Sequence, residues 1–128
     1  MTFYESEIIR IRSVCYSNHG QLNTVIAMKK YVDSNYNSKL NLDLLSKLHF
    51  TSKYHLLRLF KKYYGFTPKQ YLTDIRIAKA KRYLTEGHSV TATCFKVGFE
   101  SLGSFSSLFR VKTGLTPRQF RKSAILKK

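Results

Sequence analysis

The sequence predicts an all-α fold, and three observations carry that prediction. No segment past the first 20 residues alternates apolar and polar side chains as a half-buried strand would. The stretch Phe50–Tyr71 recurs without a gap, at an offset of 49, as Phe99–Phe120. Both copies contain the same helix punctuation: Gly65 and Gly114 close a helical pattern, and Thr67-Pro68 and Thr116-Pro117 open the next one. Identities across the repeat are Phe50/Phe99, Ser52/Ser101, Leu59/Leu108, Phe60/Phe109, Gly65/Gly114, Thr67/Thr116, Pro68/Pro117 and Gln70/Gln119. Lys61/Arg110, Lys69/Arg118 and Tyr71/Phe120 match in kind. Because a repeat unit of this length occurs only twice, two similar subdomains are expected rather than a solenoid.

The elements follow in order. Residues 1–22 form an N-terminal extension; Tyr4, Ile8, Ile11 and Cys15 suit a helix and Ile9-Arg10-Ile11-Arg12 a strand, and a helix is expected. Asn23 to about Tyr36 is amphipathic, with Val25, Ile26, Met28, Tyr31 and Val32 at helical spacing. Asn41 caps a short helix carrying Leu42, Leu44, Leu45 and Leu48, and Ser52 caps another to about Tyr64. Thr67 with Gln70 makes a capping box for a long helix to about Glu86, with Tyr71, Leu72, Ile75, Ala78 and Leu84 inward, stopped by Gly87. Ser89 and Ser101 cap helices to Val97 and about Thr113, and Thr116, Pro117 and Gln119 open the last. The expected organisation is a first subdomain over 23–66, a linker helix over 67–87, a second subdomain over 88–122 and a basic tail over 123–128.

In each subdomain a short helix, a tight turn and a second helix stand in sequence, which is the helix-turn-helix pattern. The fold expected is thus two helix-turn-helix subdomains joined by a long linker helix, about seven helices in all. Gly98 fits the left-handed position of the second turn, and His49 is its mate in the first. Cys94 is the small residue that lets the two helices approach, where its mate Leu45 fits less comfortably.

Composition narrows the function. The 128 residues hold 23 Lys+Arg against 7 Asp+Glu, a net charge of +16, so a polyanionic partner is favoured. Nucleic acid, an anionic membrane surface and an acidic protein all satisfy that charge, and a scattered basic surface with no partner is the plain alternative. A 43 % hydrophobic content with 9 Tyr and 9 Phe excludes intrinsic disorder. Two Cys exclude a disulfide scaffold and a cysteine-rich zinc site. No apolar run approaches the roughly 20 residues of a membrane span, and Met1–Glu5 does not begin a signal peptide. A soluble cytoplasmic protein, associated with the nucleoid, is expected. The four His are dispersed, Cys15 reads as inert and Cys94 as core, and no catalytic triad, paired carboxylates or phosphate loop is visible. No enzymatic activity, metal or cofactor is expected.

The second helix of each pair presents its outer face to a major groove in this architecture. Leu56, Leu59, Phe60 and Tyr63 form the buried stripe of the first, which leaves Tyr54, Arg58 and Lys61 outward and Leu57 at the edge. Arg58 suits a bidentate contact to guanine, and Leu57 or Tyr54 a thymine methyl. In the second, Phe105, Leu108 and Phe109 turn inward, and Gly103, Ser106, Ser107 and Arg110 turn outward. Those small residues read bases weakly, so the first unit is expected to carry more of the specificity. Lys53, Lys62, Lys69, Lys112 and Arg118, with the helix starts at Ser52, Ser101, Thr67 and Thr116, are the expected phosphate contacts. A linker of about 19 residues spans roughly 28 Å, near the 34 Å of one DNA turn. One chain, rather than a dimer, then reads a site that need not be palindromic.

These residues resemble the AraC/XylS family of bacterial transcription regulators over about Val25–Arg121. The resemblance rests on Val97-Gly98-Phe99-Glu100-Ser101, Phe105-Ser106-x-Leu108-Phe109-Arg110 and Gly114-Leu-Thr-Pro117-x-x-Phe120-Arg121. The first unit contributes Ser52-x-Tyr54-x-Leu56-x-Arg58-x-Phe60-Lys61 and Gly65-x-Thr67-Pro68, and the linker Tyr71-Leu72, Arg76, Ala80 and Leu84. Thr93 and Cys94 stand where the family prefers Ile-Ala, and Gly103 where it often has a larger residue. The resemblance implies sequence-specific binding of double-stranded DNA in adjacent major grooves and activation through RNA polymerase. The short N-terminal extension is similar to that of stand-alone members lacking an effector domain. A non-specific nucleic-acid or nucleoid protein is the alternative that charge alone supports, and a membrane-surface module leaves the duplicated Gly and Thr-Pro signals unexplained.

Overall fold

The computed structural model of the chain describes residues 20–126, and every regular element within them is a helix. Helix α1 covers residues 20–35. It is followed by α2 (Leu42–Leu48), α3 (Lys53–Tyr64), α4 (Pro68–Thr85), α5 (Val90–Lys96), α6 (Leu102–Thr113) and α7 (Pro117–Leu126). The expectations for residues 1–19, Cys15 included, lie outside the described residues.

The caps are those the sequence implies. Side-chain oxygens of Asn41, Ser52, Thr67, Ser89 and Ser101 accept from the backbone N–H three residues on, at 2.8–3.2 Å. Each satisfies a donor that the first helical turn leaves without a partner. The capping boxes close as well, with Gln70 Oε1 accepting from Thr67 N–H at 2.9 Å and Gln119 Oε1 from Thr116 N–H at 3.0 Å. Helices α3 and α6 stop at Gly65 and Gly114, with φ of 80° and 82°.

Two apolar cores share α4. The first joins Met28, Val32, Leu45, Leu56 and Phe60, with Tyr71, Leu72 and Ile75 of α4 packed against it. The second joins Cys94, Val97, Phe99, Phe105 and Phe109 to Ile77, Ala80 and Leu84 of α4, with Phe120 of α7 alongside. At about 100° per residue, Tyr71, Leu72 and Ile75 lie on one side of α4 and Ile77, Ala80 and Leu84 on nearly the opposite side. A single inward stripe assigned Ala78 to the core and passed over Ile77. The observed helix exposes Ala78 and buries Ile77, because its buried face changes sides as it passes from one core to the other. Ile26 and Leu48 are also exposed, and Tyr63 and Leu108 are only partly covered.

The repeat slips by one residue inside the turn. The caps Asn41 and Ser89 stand at an offset of 48, and Ser52 and Ser101 at 49. Matching backbone bonds show the same 48-residue register before the turn: Thr51 N–H donates to Ser46 O, and Phe99 N–H to Cys94 O, each at 3.1 Å. Ser46, not Leu45, is therefore the small mate of Cys94, and the discomfort of a leucine there disappears. The mate of Gly98 is Phe50, at φ 52°, whereas His49 has an ordinary φ of −106°. Phe50 and Phe99 are identical but not equivalent: Phe50 is 96 % exposed and Phe99 8 %.

Candidate nucleic-acid interface

Helices α3 and α6 are each held by one apolar stripe and leave the rest of their surface open. On α3, Leu56, Leu59 and Phe60 are buried. Tyr54 is 68 % exposed, and Arg58 and Lys61 are exposed beside it. On α6, Phe105 and Phe109 are buried, with ring centroids 5.7 Å apart. Gly103, Ser107 and Arg110 are exposed and Ser106 is half-buried. Leu57 is half-buried too. It lines an apolar cleft of about 740 Å³ between the two units, together with Leu45, Leu72, Phe99 and Leu108.

The expected phosphate contacts divide by their surroundings. Lys62, Lys69 and Arg118 are exposed and form no ion pair among the described residues. Lys112 pairs with Asp74 of α4 at 2.9 Å. Lys53 pairs with Asp43 at 3.5 Å and lies 5.6 Å from the centre of the Tyr54 ring. Each carboxylate offsets part of the positive field that a phosphate would meet. Ser52, Ser101, Thr67 and Thr116 all accept a capping bond, which leaves each hydroxyl proton free to be donated. The capping boxes claim the N–H of Thr67, Gln70, Thr116 and Gln119, and a proline N1 has none. Each helix start therefore offers a narrower set of amides than a bare helix end, chiefly those of Lys69 and Arg118.

The bonding roles of two arginines did not follow from the sequence. Arg76 of α4 donates from Nε to Tyr36 O at 2.7 Å and from Nη2 to Ser38 O at 2.9 Å, while its guanidinium sits 5.6 Å from the centre of the Phe99 ring. Burial lowers its pKa from the ordinary arginine value, and the Glu100 carboxylate acts in the opposite direction. Arg121 of α7 holds the corresponding loop of the second unit, donating to His88 O at 3.0 Å and Gly87 O at 3.2 Å. Arg76 stands in the sequence as part of a family-like pattern, but its carbonyl partners carry no side-chain signal. Among the described residues no cluster of potential metal ligands occurs, and no helix is long and apolar enough to cross a membrane.

Known proteins share this arrangement. A family model described as "Helix-turn-helix domain" matches residues 45–123. A transcriptional regulator of the AraC-type DNA-binding domain-containing proteins from Chromobacterium violaceum superposes with a TM-score of 0.67 at 26 % identity, covering 85 % of this chain and 96 % of that one. The chain belongs to the AraC/XylS family of helix-turn-helix DNA-binding domains. The DNA-binding domain of AdpA, a global transcriptional factor, solved in complex with a target DNA, has the same fold at a TM-score of 0.76 and 22 % identity, covering 81 % of this chain and 95 % of that domain. The bifunctional transcriptional activator/DNA repair enzyme AdaA of Bacillus subtilis is 38 % identical over 96 residues, which are 73 % of this AraC/XylS chain. The chain spans 44 % of the length of that curated relative.

Proposed function

We infer that the chain is a sequence-specific regulator of transcription that binds double-stranded DNA and acts as an activator. In this reading α3 and α6 enter adjacent major grooves, as the second helix of a helix-turn-helix does. The observation that carries it is the pair of equivalent helices whose exposed faces hold Tyr54, Arg58 and Lys61 on one and Gly103, Ser107 and Arg110 on the other. The subdomains are residues 23–66 and 88–122, sharing the linker at 67–87. Tyr54, Leu57, Arg58 and Lys61 read bases in the first half-site, and Gly103, Ser106, Ser107 and Arg110 approach the second more loosely. Ser52, Lys53, Lys62, Thr67, Lys69, Ser101, Lys112, Thr116 and Arg118 hold the phosphates. One chain occupies the site as a monomer, RNA polymerase is the further partner, and the complex resides on the nucleoid in the cytoplasm. AdaA, described as a transcriptional activator, and AdpA, solved with a target DNA, support this reading.

Selection of bound sequences from random duplexes, followed by titration of selected and random duplexes at rising salt, tests it. The expected result is a specificity ratio well above one that persists as both affinities fall. Equal affinity for all duplexes rejects it in favour of a non-specific basic protein.

A further inference from the structure

Two reading helices on one chain fit only DNA half-sites of one spacing and one rotation, unless the joint between them bends. The joint has few parts. Linker α4 is a single helix of 18 residues, so it transmits orientation stiffly. The second unit also touches the first directly, through the loop that follows α1. A Cβ at Gly98 would lie 2.9 Å from Tyr36 O, 3.0 Å from Asn37 Cα and 3.0 Å from Arg76 Nε. Only a residue without a side chain allows that approach, and the φ of 104° there independently requires glycine. In the first unit the equivalent position, Phe50, faces solvent.

Arg76 sits at the centre of this contact. Its two N–H vectors fix the carbonyls of Tyr36 and Ser38, and Phe99 of the second turn covers its guanidinium. Tyr36 in turn packs on the second core, and Lys39 lies 3.8 Å from Glu100 across the same seam. Arg121 makes the same type of bond pair, but to the loop between α4 and α5, which belongs to its own unit. The two arginines share a chemistry and differ in position: one bridges the units and the other does not.

We propose that Arg76, seated against Gly98 and Phe99, is a positioning residue that sets the base-pair spacing the protein accepts between its two half-sites. The proposal rests on the DNA-reading function argued above. One inserted base pair rotates the second half-site by about 35°, so a stiff joint rejects it and a loose one absorbs it.

The test compares the full chain with Arg76→Met, Arg76→Lys and, as control, Arg121→Met, on duplexes carrying the selected site with one base pair added or removed between its halves. The wild-type chain should lose about tenfold or more for each change, the scale of a mismatched base pair. Arg76→Met should cut that discrimination to about threefold or less while either half-site alone binds as before. Arg76→Lys, which keeps the cation and one carbonyl bond, should fall between, and gives the reading if Arg76→Met does not fold. Arg121→Met, which removes the same type of bond pair from a loop outside the seam, should keep the wild-type profile. A second measurement needs no DNA. Spin labels at Lys62→Cys and Val111→Cys, in a Cys15→Ser background, report the spread of distances between α3 and α6. Arg76→Met should broaden that distribution and Arg121→Met should not. Equal distributions and equal spacing profiles in wild type and the Arg76 variants overturn the proposal, and so does an Arg121→Met chain that loosens as much as Arg76→Met. A wild-type chain with narrow distances that binds every duplex alike rejects the DNA-reading function and the spacing role together, while leaving the joint itself demonstrated.

Discussion

Arg58 has both the exposure and the fork geometry that recognition of a guanine edge needs, and among the described residues no hydrogen bond or ion pair engages its guanidinium. Arg58→Ala should therefore weaken binding to the selected site by about 1–3 kcal/mol and relax base choice at one position, measured by titrating duplexes altered singly at each base pair. Phe50 presents the opposite situation. It holds a left-handed φ of 52° while 96 % exposed, so it bears strain and gains little packing. Left-handed backbone costs an L residue roughly 1–2 kcal/mol, and glycine loses roughly 0.5–1 kcal/mol more conformational freedom on folding. Phe50→Gly should stabilise the chain by about 0.5–1 kcal/mol in urea unfolding. His49, next to it, has a buried Nε2 without a hydrogen-bond partner among the described residues, and burial lowers its pKa below the ordinary 6.5. As pH falls through 6.5 the unfolded chain takes up a proton that folded His49 still refuses, so stability falls until the folded residue titrates as well. Thermal melts at pH 7.5 and 5.5 should differ less in His49→Gln than in the parent chain.

At the scale of the helix, the ends were legible in the sequence and the faces were less so. An N-cap needs a short polar side chain at one fixed place, so Asn41, Ser52, Thr67, Ser89 and Ser101 could be read directly. Thr67 carries the start of α4, on which both cores depend. Thr67→Ala should cost about 1 kcal/mol by urea unfolding, with Thr67→Ser close to neutral. Where one residue answers to two neighbours, the sequence misleads. The periodicity of α4 averages over two opposite buried faces, which is why Ala78 stood in for Ile77. A chance Phe/Phe identity hid the one-residue slip between the turns. On the candidate interface, the exposed basic face of α3 followed from its buried stripe. The pairing of Lys112 with Asp74 and of Lys53 with Asp43 did not, because those partners meet only after folding. Arg76 was the least legible of all, since its bonds go to backbone carbonyls 38 and 40 residues away.

For the whole molecule, the net charge of +16 and the two faces act on different parts of binding. Phosphate contacts release counterions, so they set how steeply affinity falls with salt, and every duplex presents the same phosphates. Base contacts release none, so they set the difference between duplexes. If the five cations Lys53, Lys62, Lys69, Lys112 and Arg118 hold phosphates as proposed, the slope of log K against log salt should be roughly −4 to −5. Selected and random duplexes should show nearly the same slope, separated by a constant gap. Lys69 is exposed at the start of α4, with no carboxylate paired to it among the described residues. Lys69→Ala should make the slope shallower by about one for both kinds of duplex and leave the gap unchanged. Lys112→Ala should change it by less, because Asp74 already screens that charge. A gap that closes in Lys69→Ala would place this lysine on a base edge and move the reading face of the first unit towards the start of the linker.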